Sequence, residues 1–308
     1  MKHQVFVTGL LLWAASASGQ PVESSALKGA QNEVANGDAD WVFRGEVRAT
    51  TDHRERGVSY SLNEPSLQLL GAVVHSSGAF GELELSTVST RQYPGGSGIR
   101  LQAVGGYRWG DPDGVQYEGG LHSTVYPGSS QPGVAGYDVV LDPSTGDVID
   151  LIPQRTTVSP EFSELFAAVS YKGFSVRYFQ TVSNNFAGID AQTVCPAITD
   201  LSASRDCLQG GNRNSQGSDY LQVDYVWRVS KSSRLAFQIG RQRVKNFDDF
   251  DFTSYQIEWR QALNPFVLSV GLTGATARNR DAYRVALDNG ETRDIANSRL
   301  YLAIARSF

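Results

Sequence analysis

The sequence predicts an all-β fold, a 12-stranded antiparallel transmembrane β-barrel with short periplasmic turns and long extracellular loops. Three observations carry that expectation. Segments of about ten residues alternate apolar and polar side chains, the length and period a tilted strand needs to cross an apolar layer. The connections between them are long and short by turns, as they must be if every second one leaves the same end of a closed barrel. The chain stops on N-S-R-L-Y-L-A-I-A-R-S-F, Asn297–Phe308, an alternating strand with an aromatic carboxy terminus. Such a strand can return to pair with strand one and leave no open edge in hydrocarbon. A secreted sandwich also alternates, but has no reason to sort its loops by end.

Alternation begins at Trp41. In strand one, about Trp41–Thr50, Trp41, Phe43, Val47 and Ala49 share one side, with Arg44, Glu46 and Arg48 opposite. A polar stretch to about Glu64 leads to strand two, Ser66–His75, and S-S-G turns the chain into strand three, Ala79–Val88, where Leu83 and Leu85 oppose Glu82 and Glu84. Strand four, Ile99–Trp109, sets Ile99, Leu101 and Ala103 against Arg100 and Gln102. D-P-D-G is a turn by its proline and glycine placement. Strand five follows at Val115–Tyr126, with Tyr117 and Leu121 against Glu118 and His122.

The proline-bearing residues 127–160 show no spanning strand and read as a long loop. Strands six, Phe162–Tyr171, and seven, Phe174–Val182, are joined by Lys172-Gly173 alone. A second long loop covers 183–217. Strand eight, Asp219–Val229, places Leu221, Val223, Tyr225 and Trp227 against Gln222, Asp224 and Arg228. Strands nine, Arg234–Arg243, ten, Phe250–Arg260, and eleven, Phe266–Ala277, repeat the pattern, and a polar loop, 278–293, precedes strand twelve.

Residues 1–17 read as a secretory signal peptide: Lys2, an apolar run from Val5 to Ala15, and small residues before Ser18. Residues 18–40 form a flexible leader and 41–308 the barrel. No later run reaches the roughly 20 apolar residues of a spanning helix. Export places Cys195 and Cys207 in an oxidising compartment, so a disulfide within the second long loop is expected. With 32 acidic and 27 basic side chains the protein is mildly acidic, which argues against nucleic acid as a partner.

T-T-D-H-R-E-R-G-V-S-Y-S-L-N-E-P-S-L-Q, residues 50–68, resembles the opening of a bacterial porin family of outer-membrane proteins, a signature like S-D-Y-x-F-R-G-x-S-x-S followed by P-x-x-Q. Asp52, Arg56, Gly57, Ser59, Ser61, Pro65 and Gln68 fit it; His53 and Glu55 depart from the usual aromatics, and an acidic Glu55 suits a lumen or rim better than lipid. The resemblance continues faintly through 71–86 and 160–175 to Phe308. It implies a location in the bacterial outer membrane and a C-terminal strand read by the barrel-insertion machinery.

If the apolar faces meet lipid, the opposite faces line the interior. Arg44, Glu46, Arg48, Glu82, Glu84, Arg100, Arg108, Glu118, Arg177, Asp224, Arg228, Glu258, Arg260 and Arg299 are the candidate pore-lining residues. Placing an arginine on lipid instead would cost about 2–4 kcal/mol near the midplane. Two readings follow. One is a channel for passive diffusion of small polar or charged solutes, narrowed by these side chains and by a folded-in part of 127–160 or 183–217. The other is a nonconducting barrel that presents its long loops as a structural, adhesin or receptor scaffold. No cofactor or metal motif is present, and no G-x-S-x-G elbow supports an enzyme; His122 alone is worth inspecting as a base.

Overall fold

The computed structural model describes residues 40–111, 113–210 and 213–308. The expected signal peptide, and the leader up to residue 39, lie outside the described residues. The strands are β1 (Trp41–Thr50), β2 (Ser66–His75), β3 (Ala79–Thr87), β4 (Ile99–Gly110), β5 (Val115–Val125) and β6 (Phe162–Tyr171) in the first half. The second half has β7 (Phe174–Thr181), β8 (Asp219–Arg228), β9 (Ser233–Arg243), β10 (Phe252–Leu263), β11 (Phe266–Ala277) and β12 (Arg299–Ser307). Each pairs antiparallel with its chain neighbours, and β1 pairs with both β2 and β12, so the sheet closes into a barrel with no free edge.

Closure is tight at the seam. Gly45 and Phe308 exchange backbone hydrogen bonds of 2.9 Å in each direction. A Cβ at Gly45 would stand 2.4 Å from the Phe308 ring, so glycine is what admits the terminal aromatic. No helix among the described residues is long and apolar enough to cross a membrane; the strands do so.

The outward side chains form the lipid-facing surface. Phe43, Leu69, Leu83, Leu121, Leu165, Ile239 and Leu302 are exposed in mid-barrel. In water such a band would be an aggregation surface; against acyl chains it is the solvent match. Trp41, Trp109, Tyr117, Tyr171, Tyr225 and Trp227 gather at the short-turn end. Rings with one polar edge suit the headgroup boundary there, the aromatic girdle of an outer-membrane barrel.

The long connections build a folded extracellular lobe. Residues 127–160 contain no spanning strand, but they are not an irregular loop: Gln131–Leu141 and Val148–Val158 form a separate two-stranded hairpin. Helices α1 (Ala191–Val194) and α2 (Leu201–Gln209) pack beside it, each started by an aspartate cap, Asp190 Oδ1 accepting from Gln192 N and Asp200 Oδ1 from Ala203 N. The Cys195–Cys207 disulfide ties the segment after α1 to α2.

Because that bond joins two segments of the lobe and neither cysteine belongs to a barrel strand, reduction should leave the barrel standing. Thiol labelling of the folded protein is expected to find no free cysteine before reduction and two after it. Heat-modifiable gel mobility, which reports the closed barrel, should be unchanged by the treatment.

Candidate functional site: a polar hairpin inside the lumen

The segment that enters the barrel is 51–65, the connection between β1 and β2. Neither loop expected to fold inward does this. Residues 127–160 stand outward as the hairpin, and among the described residues of 183–217 Phe186, Ala187, Ile189 and Ala191 form a lid buried over the extracellular end. Within 51–65, Arg54–Glu55 pairs with Val58–Ser59 around Arg56-Gly57. Both turn residues have positive φ, 47° and 78°, the two-residue primed turn that suits a tight hairpin. Gly57 is doubly required, since a Cβ there would lie 2.1 Å from the Gly274 carbonyl oxygen of β11.

Asp52 organises the base of the hairpin. One carboxylate oxygen accepts from Ser59 Oγ at 2.6 Å and Ser61 Oγ at 3.2 Å; the other accepts from Arg54 Nε at 2.5 Å. Arg54 continues to the Asn297 carbonyl and to Asn63 Oδ1, both at 2.5 Å, which stitches the hairpin to the β11–β12 connection. These are the residues of the signature-like stretch. Its conforming positions shape the hairpin, and the departure at Glu55 places a carboxylate in the lumen.

Two arginines fix the hairpin to the barrel wall. Arg56, fully buried, donates from Nη2 to Glu164 Oε2 of β6 at 2.8 Å and from Nη1 to Gln242 Oε1 of β9 at 2.6 Å. Its guanidinium lies 4.0 Å over the Tyr220 ring and 4.8 Å from that of Phe179. Arg100 of β4, also fully buried, reverses the arrangement: its Nη2 donates to hairpin Glu55 at 2.7 Å and to wall Glu84 at 2.6 Å. Tyr60 covers Arg100 and stacks in a buried trio with Tyr93 and Tyr126, whose rings lie 3.9 Å apart. Hairpin and wall thus supply each other's counter-charges, the condition for burying ions at all.

The hairpin leaves little room. A polar gap of about 20 Å³ beside it is lined by Arg48, Thr50, Asp52, His53, Arg54, Gln68, Gln256 and Tyr301. That volume holds a water but no solute. His53, Glu55 and Glu84 bring donor atoms within 4.8 Å of one another, the spacing of a three-ligand cation site. Arg100 already supplies positive charge to both carboxylates, so a metal ion would have to compete with a guanidinium.

Below the hairpin, toward the short turns, the lumen is wetter and charged. Arg108 Nη2 donates to Glu118 at 2.7 Å, and Arg177 lies 3.9 Å from the other Glu118 oxygen. Glu258, fully buried, accepts from Arg48 at 3.4 Å, from the Tyr301 hydroxyl at 2.5 Å, and from Arg260. Asp224 is buried against Ser175 and Gln222; Glu46 is buried, while Arg44 and Glu82 are half-buried on the same face. Arg228 and Arg299 are exposed, the first at the periplasmic end of β8 and the second at the extracellular start of β12.

Sequence reading missed Arg54 and Arg56 as lumen residues, and also Glu164 and Arg234; Glu55, expected at the lumen or rim, is buried against Arg100. The hairpin could have been suspected from R-G between two short β-prone pairs, since positive φ at both centres is what that turn demands. His122 is a wall residue. Its Nδ1 lies 3.3 Å from Glu164 and its Nε2 faces Gln102 at 2.6 Å and Thr124 at 3.3 Å, 1 % exposed behind Arg56. His75 meets Ser77 Oγ at 2.8 Å only because both sit in one tight turn. A hydrolase arrangement is not assembled around either.

No family model matches the chain, and no curated protein matches it. Among solved structures the NanC porin is similar at 11% identity and a TM-score of 0.49, over 86% of this chain and 98% of that one. A KdgM porin in complex with disordered oligogalacturonate is similar at 8% and 0.44, over 86% and 99%. The CymD monoaromatic hydrocarbon channel is similar at 9% and 0.42, over 95% and 94%. Identities and TM-scores in this range place the chain in none of their families.

Gly57→Val should unseat the hairpin, because it combines the forbidden backbone angle with a collision on Gly274. Trypsin added to the folded protein is expected to cut after Arg54 or Arg56 in the variant and to spare the wild type, with heat-modifiable mobility retained in both. Equal resistance would show that the hairpin does not depend on that close approach.

Proposed function

We propose that the protein is a channel for passive diffusion of small polar or charged solutes across the outer membrane, shut in this conformation by the 51–65 hairpin. The observation that carries the reading is the contrast along the lumen. The periplasmic half is a solvent-reached vestibule lined by Arg108, Glu118, Arg177 and Arg260, whereas the extracellular half is closed by a polar insert held through hydrogen bonds and ion pairs. Charged groups on the lumen face of so many strands favour a wet path over a dry core. The likeness of residues 50–68 to porin openings supports the same reading, and so does the modest bore that twelve strands enclose. The barrel-insertion machinery is the partner expected to read the exposed Phe308 strand.

A second reading has an observation of its own. Phe186, Phe250, Tyr283 and Ile295 form an apolar lid over the hairpin, as in the core of a soluble domain. A barrel that never opens and serves as a scaffold for its extracellular lobe would need such a lid.

Planar-bilayer recording separates the two. Wild type is expected to show rare, brief openings, and a variant with residues 54–61 replaced by a short glycine-serine linker steady conductance. Silence from the linker variant, with its barrel shown intact by heat-modifiable mobility, would favour the scaffold.

A further inference from the structure

At the periplasmic mouth the strand register sets three arginines side by side. Arg228 of β8 is directly opposite Arg234 of β9, and Arg234 is directly opposite Arg260 of β10. All three share the inward parity of Asp224, Gln238 and Glu258 on their own strands. Directly opposed side chains start about 5 Å apart, and like charges so placed repel. Arg260 has a protein counter-ion, Glu258, which it shares with Arg48. Among the described residues no carboxylate forms an ion pair with Arg228 or Arg234. Of the two acidic residues on the same strand as Arg228, Asp219 pairs with Arg243, and Asp224 Oδ2 accepts from Ser175 and Gln222.

We infer that this arginine row is a binding site for small oxyanions bearing two or more negative charges, as carboxylate or phosphate groups, at the periplasmic end of the path. The inference rests on the channel reading for its purpose, since a lumen site matters where solutes pass. Three planar guanidiniums spaced across neighbouring strands can donate in parallel to separate oxyanion groups of one solute, and arginine keeps its charge at any ordinary pH. A bound polyanion also removes the repulsion that the register imposes. The site sits below the hairpin and faces the vestibule, so it is reachable in the closed conformation.

The test uses the whole protein in detergent, titrated by calorimetry with citrate and with inorganic phosphate at an ionic strength held constant by chloride. Saturable binding of at least one probe is expected for wild type. In Arg228→Gln/Arg234→Gln its affinity is expected to fall by about tenfold or more, the loss of charge-assisted donors. Arg243→Gln, on the outward face of β9, should bind as wild type does. Heat-modifiable mobility checks that each variant is folded. No saturable binding by wild type would overturn the site, as would equal affinity in the double variant or equal loss in Arg243→Gln. Binding with silent bilayers even from the linker variant would count against the channel and leave the site standing; conductance without binding would do the reverse.

Discussion

The interaction on which the structure depends is the exchange of charge between the hairpin and the wall. Arg56 reaches out of the hairpin to Glu164, and Arg100 reaches out of the wall to Glu55. Taking either ion from water costs several kcal/mol, and the attraction of the pair offsets that cost only when further hydrogen bonds complete the geometry. Gln242 and two aromatic faces do so for Arg56; Glu84 and Gln102 do so for Arg100. Neither element is satisfactory alone. Without the hairpin Glu164 loses its guanidinium, and without the wall Arg56 has no anion. This reciprocity fixes where the hairpin sits more sharply than apolar contact would.

The two halves of the lumen follow different rules as a result. Above the arginines the connections pack into a mixed core in which Val58 and Leu62 of the hairpin meet Phe186, Tyr283 and Ile295. Below them, water reaches side chains whose ion pairs are partly exposed, where pairing is weak and rearrangement cheap. Any solute path must therefore be limited by the upper half. The lower half would set which solutes are held while they wait.

Much of the barrel was legible because lipid enforces a simple pattern on the outward face. Leu83 and Leu85 against Glu82 and Glu84, or Leu221 and Tyr225 against Gln222 and Asp224, can be assigned to faces by inspection. The pattern fails where the lumen itself is apolar. On β6, Phe162 and Phe166 point inward on either side of Glu164 while Leu165 and Val169 point to lipid, so both faces look greasy and the carboxylate is hidden. The 131–158 hairpin escaped for another reason. Pro132 and Pro153 argue against a central strand, but a two-stranded hairpin has a free edge on each side and tolerates them. Arg234 was overlooked at the very start of its strand, and only the register shows that it stands between Arg228 and Arg260.

The most direct test is a double-mutant cycle on Arg56 and Glu164, read as the denaturant stability of the barrel in lipid. Arg56→Met and Glu164→Gln should each lose about 3–5 kcal/mol, because each leaves one buried partner uncompensated. The double variant should lose less than their sum, by a coupling of about 1–3 kcal/mol. Additive losses, or singles no less stable than wild type, would contradict a hairpin held in the lumen by mutual charge.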